Sequence, residues 1–326
     1  MVATWKSCMG FGKKQQECHR RKGQYAIPRT FDSIRFAIAA SCSPNSPMPF
    51  PRCIPWLTVF LPALLALSSA WAEPPGPQSI GPANGTLVII GGGGRSQAII
   101  QRFIQIAGGP DAPLVAIPTA DENDDRGERT VAFLNKLGAK NVSIVHTRDP
   151  KIADTEDFVK PLRAAKGVWL GGGRQWRFAD AYLDTRVVKE LFGVLERGGV
   201  IGGSSAGATI QGSYLVRGAP EGNTIMMAPG HEIGFGFLKG SAIDQHWATR
   251  KRQQDLVPVI ERHPDLLGIG LDEDTAIIVH GDRFEVMGHG PVGVYDAKNP
   301  AWKSGTPYQT LHEGDAFDLK ARTVVK

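Results

Sequence analysis

An α/β three-layer sandwich with a mostly parallel sheet is the fold that this 326-residue sequence predicts. Three observations carry it. Short apolar runs alternate with amphipathic stretches from Leu87 to Ile201, the pattern of strands joined by helical crossovers. Three of those runs end in glycine-rich loops, 91–94, 171–173 and 202–207. In parallel sheets the ligand site lies beyond the carboxyl ends of the strands, where such loops would meet. Finally, about 240 residues follow the last Pro/Gly-rich linker, enough for one well-buried domain (85–326).

The elements follow in order. Leu87–Ile90 is an apolar run that ends in Gly91–Gly94 and leads into a helical pattern over Ala98–Ile106. Leu114–Ile117 ends in Pro118-Thr-Ala-Asp121, before a helix over 126–137 with Val131, Phe133, Leu134 and Leu137 as its apolar positions. Val142–Val145 is the next strand. Gly167–Leu170 runs into Gly171-Gly172-Gly173, with a helical run beyond Gln175. A helix over Val187–Leu195 precedes the pair Val200-Ile201. The C-terminal part (Gly268–Val279, Arg283–Met287, Val292–Tyr295) is rich in strand formers and predicts a meander.

The formal charge of +5 misleads about partners. Residues 1–72 hold nine of the 37 Lys/Arg and two of the 32 Asp/Glu, leaving 28 basic and 30 acidic residues beyond them. The basic excess therefore belongs to the leader, and nucleic-acid binding loses its main support. All four cysteines (Cys8, Cys18, Cys42, Cys53) lie there too. The rest of the chain has no thiol for a nucleophile, a disulfide or a thiolate metal site. From Met48 the sequence runs through Arg52 and the apolar stretch Ile54–Leu67 to Ala70-Trp71-Ala72. A charged start, a short apolar core and an Ala-x-Ala ending describe a secretory signal peptide over 48–72, with export to the periplasm or the exterior. That run is too short and Pro-interrupted for a stable membrane span. Residues 1–47 read as an extension upstream of the true start, and 73–84 as a linker.

Gly202-Gly203-Ser204-Ser205-Ala206-Gly207-Ala208 matches G-x-S-x-G, a nucleophile elbow. A nucleophile on a sharp strand-to-helix turn needs small neighbours so that substrate can approach. The helix beginning after it aims N–H groups at a developing oxyanion. A serine also needs a base and a group that orients the base. Downstream, Asp244-Gln245-His246-Trp247-Ala248-Thr249-Arg250-Lys251-Arg252 is the richest polar segment, with His246 41 residues after Ser205. Asp272-Glu273-Asp274 then closes the apolar run from Gly268. Other chemistries lack their signatures. Ser96 stands where a dinucleotide fingerprint needs glycine, no Walker lysine occurs, and His231-Glu232 has no second histidine for zinc. No cofactor or metal is expected.

Taken together, Gly203-Ser-Ser205-Ala-Gly-Ala, Asp244-Gln-His246-Trp, Gly268-Ile-Gly-Leu-Asp-Glu273 and Gly172-Gly173-Arg174-Gln175 resemble, in order and spacing, the cyanophycinase and aspartyl dipeptidase family of serine peptidases. The resemblance covers roughly residues 85–296. It implies Ser205 as nucleophile, His246 as general base and Glu273 as orienting acid. It implies an oxyanion hole from N–H groups of Ala206 and of Gly172 or Gly173. The fold would be class I glutamine-amidotransferase-like (flavodoxin-like), with serine in place of the usual cysteine. Gln175 and the Asp244-Gln-His segment favour the cyanophycinase branch. Its substrate is a poly-aspartate backbone carrying arginine on the side-chain carboxyls, and its product is a β-Asp-Arg dipeptide. Gln175, Asp244, Gln245, Arg250 and Arg252 are then the expected substrate-binding residues, the arginines clamping carboxylates. One position departs: Asp255 stands where the family carries an arginine nine residues after the histidine. Two other readings stay open. An α/β-hydrolase esterase would use Ser205, Asp272 and His289 in that order, and a non-catalytic binding module would leave Ser205 idle. The oligomeric state, a homodimer included, is not selected by any motif.

Overall fold

The alternation of side chains between two apolar clusters along the first strand sets the layers. The computed structural model describes residues 79–326 except 94–95, 124–125, 306 and 326. The expected extension and signal peptide lie outside these residues. In β1 (Thr86–Ile90), Leu87 and Ile89 join one apolar cluster while Val88 and Ile90 join another, so the strand is buried on both faces.

After β1 come α1 (Gln97–Ile106), β2 (Leu114–Ile117), α2 (Arg126–Lys136), β3 (Val142–Ile144), α3 (Pro150–Ala153) and α4 (Glu156–Ala164). β4 (Gly167–Leu170), α5 (Trp176–Tyr182), α6 (Arg186–Glu196), β5 (Val200–Ser204) and α7 (Ala206–Thr209) complete the crossovers. The remainder is β6 (Gly212–Tyr214), β7 (Leu238–Gln245), α8 (Val257–Arg262), β8 (Leu267–Leu271), β9 (Thr275–His280), β10 (Arg283–Gly288) and β11 (Val292–Tyr295). It ends with α9 (Pro300–Lys303), β12 (Gln309–Leu311), β13 (Ala316–Asp318) and β14 (Thr323–Val325).

A nine-stranded sheet has the order β14-β13-β10-β9-β1-β5-β4-β2-β3. Its β1-β5-β4-β2-β3 half is parallel, and β9, β10, β13 and β14 extend it antiparallel from β1. α1 and α2 cover one face through Ile99, Ile100, Phe103 and Leu134. α4, α5 and α6 cover the other through Val159, Leu162, Phe178, Leu191 and Val194. α6 shows why: Val187, Leu191, Val194 and Leu195 repeat at helical spacing, and the Thr185 hydroxyl accepts the Val187 N–H at its start. Each such side chain contributes about 1.5–3 kcal/mol on burial.

The C-terminal part is strand-rich, but its strands do not form one meander. Residues 268–279 split between two sheets. β8 belongs to a five-stranded sheet of order β12-β11-β8-β7-β6, and β9 pairs with β1 in the large one. The chain crosses at 272–274, where Asp274 takes a left-handed φ of 53°. That crossing delivers Glu273 beside the carboxyl end of β1. β7 and β8 are parallel, with Gln245 opposite Leu271, so His246 emerges at the same end. Among the described residues no helix is long and apolar enough to cross a membrane.

Candidate active site

Ser205 sits at the turn between β5 and α7 with φ 56° and ψ −112°. The flanking glycines are a packing requirement. A Cβ on Gly203 would come 2.2 Å from the Gly207 carbonyl oxygen, and one on Gly207 would come 2.1 Å from that of Leu170. The Ser205 N–H is committed to the Ile90 carbonyl at 3.0 Å, which ties the turn to β1. Ser205 is thereby held at the carboxyl end of β5, between β1 and β4.

Ser205 Oγ lies 3.0 Å from His246 Nε2, and His246 Nδ1 lies 2.6 Å from Glu273 Oε1. His246 is itself left-handed, φ 55°, and its N–H bonds the Gly91 carbonyl at 2.8 Å. The next residue anchors it. The Trp247 indole lies against Gly270 and Gly293, where a Cβ would intrude to 2.3 and 2.4 Å, and its Nε1–H donates to Tyr295 Oη at 2.6 Å. Burial lowers the His246 imidazole below its ordinary value, Glu273 raises it, and the Arg250 and Arg252 charges lower it further. The net shift is downward, which favours the neutral ring that a general base needs.

Of the three clustered carboxylates only Glu273 reaches His246. Asp272 Oδ1 accepts the N–H groups of Ala248 and Thr249 at 3.0 and 2.8 Å, bracing the loop after the histidine. Asp274 accepts the Ser96 N–H at 3.0 Å. The esterase order fails on this geometry. The Asp272 carboxylate is engaged by backbone, and the His289 side chain is 89% exposed, with Glu313 as its ion-pair neighbour.

The loop after β4 borders Ser205 on its other side. A Cβ on Gly172 would lie 3.6 Å from Ser205 Cβ, so this backbone borders the nucleophile. Gly173 has φ 140°, and a Cβ there would strike the Ala120 carbonyl at 2.1 Å, so no other residue fits. Ala206, the first residue of α7, has no acceptor within its own helix. Its N–H and that of Gly172 are the donors that the sequence resemblance puts forward for an oxyanion.

A cleft of about 620 Å³ opens over these groups. Gly92, Gly93, Ser204, Gln245, His246, Arg250, Asn223, Gln175, Asp121 and Arg129 are among its walls. The expected substrate-binding residues divide here. Arg250 is exposed in the cleft, and Gln175 and Gln245 border it. Gln175 is 1% exposed and its Nε2 donates to the Val216 carbonyl at 2.9 Å. Asp244 and Arg252 are corrected to supporting roles. Asp244 is wholly buried, and Arg217 grips both its oxygens at 2.7 and 2.9 Å. Arg252 Nη1 donates to the Gln245 carbonyl and to Gln245 Oε1 at 2.9 and 3.1 Å, fixing that side chain. Arg217, which no sequence motif marks, also binds Asp255 Oδ2 at 2.5 Å and the Asn223 carbonyl at 2.7 Å. Asp255 is therefore the partner of an internal arginine.

These motifs sit within a longer match. The family description "Peptidase family S51" matches residues 87–287. The chain belongs to peptidase family S51. It is a serine peptidase. The cyanophycinase of Geminocystis herdmanii is 31% identical over 220 residues, which cover 65% of this chain and 81% of that protein. A Nostoc cyanophycinase is 30% identical over 269 residues, covering 74% and 89%. The crystal structure of a peptidase from an acI-B1 Actinobacterium superposes with a TM-score of 0.56 at 21% identity. That match covers 73% of this chain and 98% of the other, and it shows the shared fold.

Proposed function

We propose that this peptidase hydrolyses cyanophycin or a related β-aspartyl peptide through an acyl-enzyme on Ser205. The observation that carries the reading is the Ser205–His246–Glu273 chain of contacts at the carboxyl ends of β5, β7 and β8. Ser205 Oγ attacks the scissile carbonyl carbon while His246 Nε2 takes the hydroxyl proton. Glu273 accepts the Nδ1–H, fixing the tautomer and stabilising the imidazolium that forms. The N–H groups of Ala206 and Gly172 receive the negative charge on the carbonyl oxygen. Collapse of the intermediate breaks the C–N bond, and the amine leaves with the proton from His246. Water, deprotonated by the same ring, then attacks the ester, releases the acid and returns the proton to Ser205.

The polymer substrate is supported by the relatives named cyanophycinases and by Arg250 with three amides, Gln175, Gln245 and Asn223, around the nucleophile. Asp255 does not remove this support, because its carboxylate is used inward by Arg217. Incubation of the purified protein with insoluble cyanophycin tests the reading. Solubilisation with release of β-Asp-Arg is expected. Cleavage of ordinary α-peptides alone, with the polymer untouched, would refute the substrate. Export through the segment ending at Ala72 belongs to the same proposal, and secreted protein should begin near Glu73.

A further inference from the structure

The strand order places two arginines on opposite sides of the nucleophile. Ser205 follows β5, whose neighbours are β1 on one side and β4, then β2, on the other. The β1 side carries Gly92, His246 and Arg250, the last close enough to His246 to lower its proton affinity. The β4 side carries the 171–173 loop, then Asp121 after β2 and Arg129 at the start of α2. Arg129 lies one helical turn before Phe133, and both line the cleft with Thr130 between them. The cleft is thus lined by one arginine from the β1 side of Ser205 and one that follows β2 on the other side.

We infer that Arg129 is a second carboxylate-recognising residue, so that substrate carries negative charge on both sides of the scissile bond. Guanidinium is the side chain best matched to carboxylate, through a planar pair of donors. Two such groups flanking one nucleophile select a peptide with acidic groups in both the acyl and leaving portions. This deepens the aspartyl-peptide reading and rests on it. A polymer with a free carboxylate on each arginyl branch meets the requirement on both sides.

The test uses binding, so that it does not depend on turnover. Four β-aspartyl peptides of equal length carry a free carboxylate on the acyl side only, the leaving side only, both or neither. Their Kd values are measured by calorimetry on Ser205→Ala protein, alone and combined with Arg129→Gln or Arg250→Gln. The two-sided peptide should bind tightest. Each arginine substitution should weaken only the peptides carrying one particular carboxylate, by about 10-fold or more, and the two should affect different carboxylates. Both losses should shrink in high salt, since exposed charges are screened. A loss in Arg129→Gln that is equal for all four peptides, that is absent, or that falls on the carboxylate read by Arg250 would overturn the inference. Failure of the underlying reading looks different. Unsubstituted protein would then leave all four peptides uncut, whatever the binding pattern.

Discussion

Gly92→Ala tests the tight seating of the base most sharply. A Cβ at Gly92 would lie 2.3 Å from His246 Cε1, 2.6 Å from Nδ1 and 2.9 Å from Nε2, where ordinary contact begins near 3.4 Å. The ring must therefore retreat by about 1 Å, a displacement that costs on the order of 10²-fold in catalysis. The Ser205–His246 separation, 3.0 Å now, would open beyond hydrogen-bonding reach. Movement of the glycine backbone offers no relief. The Gly92 carbonyl holds the Asp274 N–H at 3.0 Å and the Gly91 carbonyl holds that of His246 at 2.8 Å, so the loop and the base shift together. The positive φ of 132° adds strain of about 1–3 kcal/mol for alanine. The assay is kcat and KM on a β-aspartyl peptide beside a urea titration. A kcat drop of roughly 10² or more with the fold retained is expected. Unchanged kcat in a folded Gly92→Ala protein would show that the ring is not held against this loop.

Three further outcomes follow from the same geometry. His246→Ala and Glu273→Gln should both be severe, with Glu273→Gln the milder, while exposed His289→Ala stays near the unsubstituted rate; steady-state kinetics on one substrate decide it. In Arg250→Gln the His246 pKa should rise, because a neighbouring positive charge is removed, so the acid limb of kcat/KM moves to higher pH; in Glu273→Gln it should move to lower pH, and a pH profile of each reads the sign. Asp255→Arg, although it recreates the family's residue, should destabilise by about 1 kcal/mol or more, since it sets a guanidinium against Arg217 and removes a charge-assisted hydrogen bond at a partly exposed site; chemical denaturation that finds it more stable would contradict this.

Within the parallel half β1, β2 and β4 were legible because they are buried on both faces and so appear as unbroken apolar runs. β7 was not. Leu238–Gln245 carries Lys239, Ser241, Asp244 and Gln245, and its polar positions are buried by pairing with Arg217 and Arg252, which no periodicity reveals. α4 was missed because its apolar face is little more than Phe158, Val159 and Leu162, interrupted by Pro161. The run from Gly268 read as continuous because nothing in its composition marks where the chain changes sheets. At the site, local glycine chemistry around Ser205 and 171–173 was readable from sequence, since close backbone approach admits nothing larger. Asp244 and Arg252 were expected to bind substrate because the family resemblance implied it, and only burial separates a ligand from a brace. Arg217, Asn223 and Arg129 carry no local signal. Asn223 and Arg129 reach the cleft, and Arg217 its buried place beside Asp244, through long-range packing alone.

The central claim is that Ser205 is the activated nucleophile of this peptidase. Its most direct measurement is covalent labelling with a serine-directed fluorophosphonate, followed by mass spectrometry of the modified peptide. The account predicts one label per chain, on Ser205, lost in Ser205→Ala and strongly slowed in His246→Ala. A label on Ser204, or equal labelling with and without His246, would contradict it.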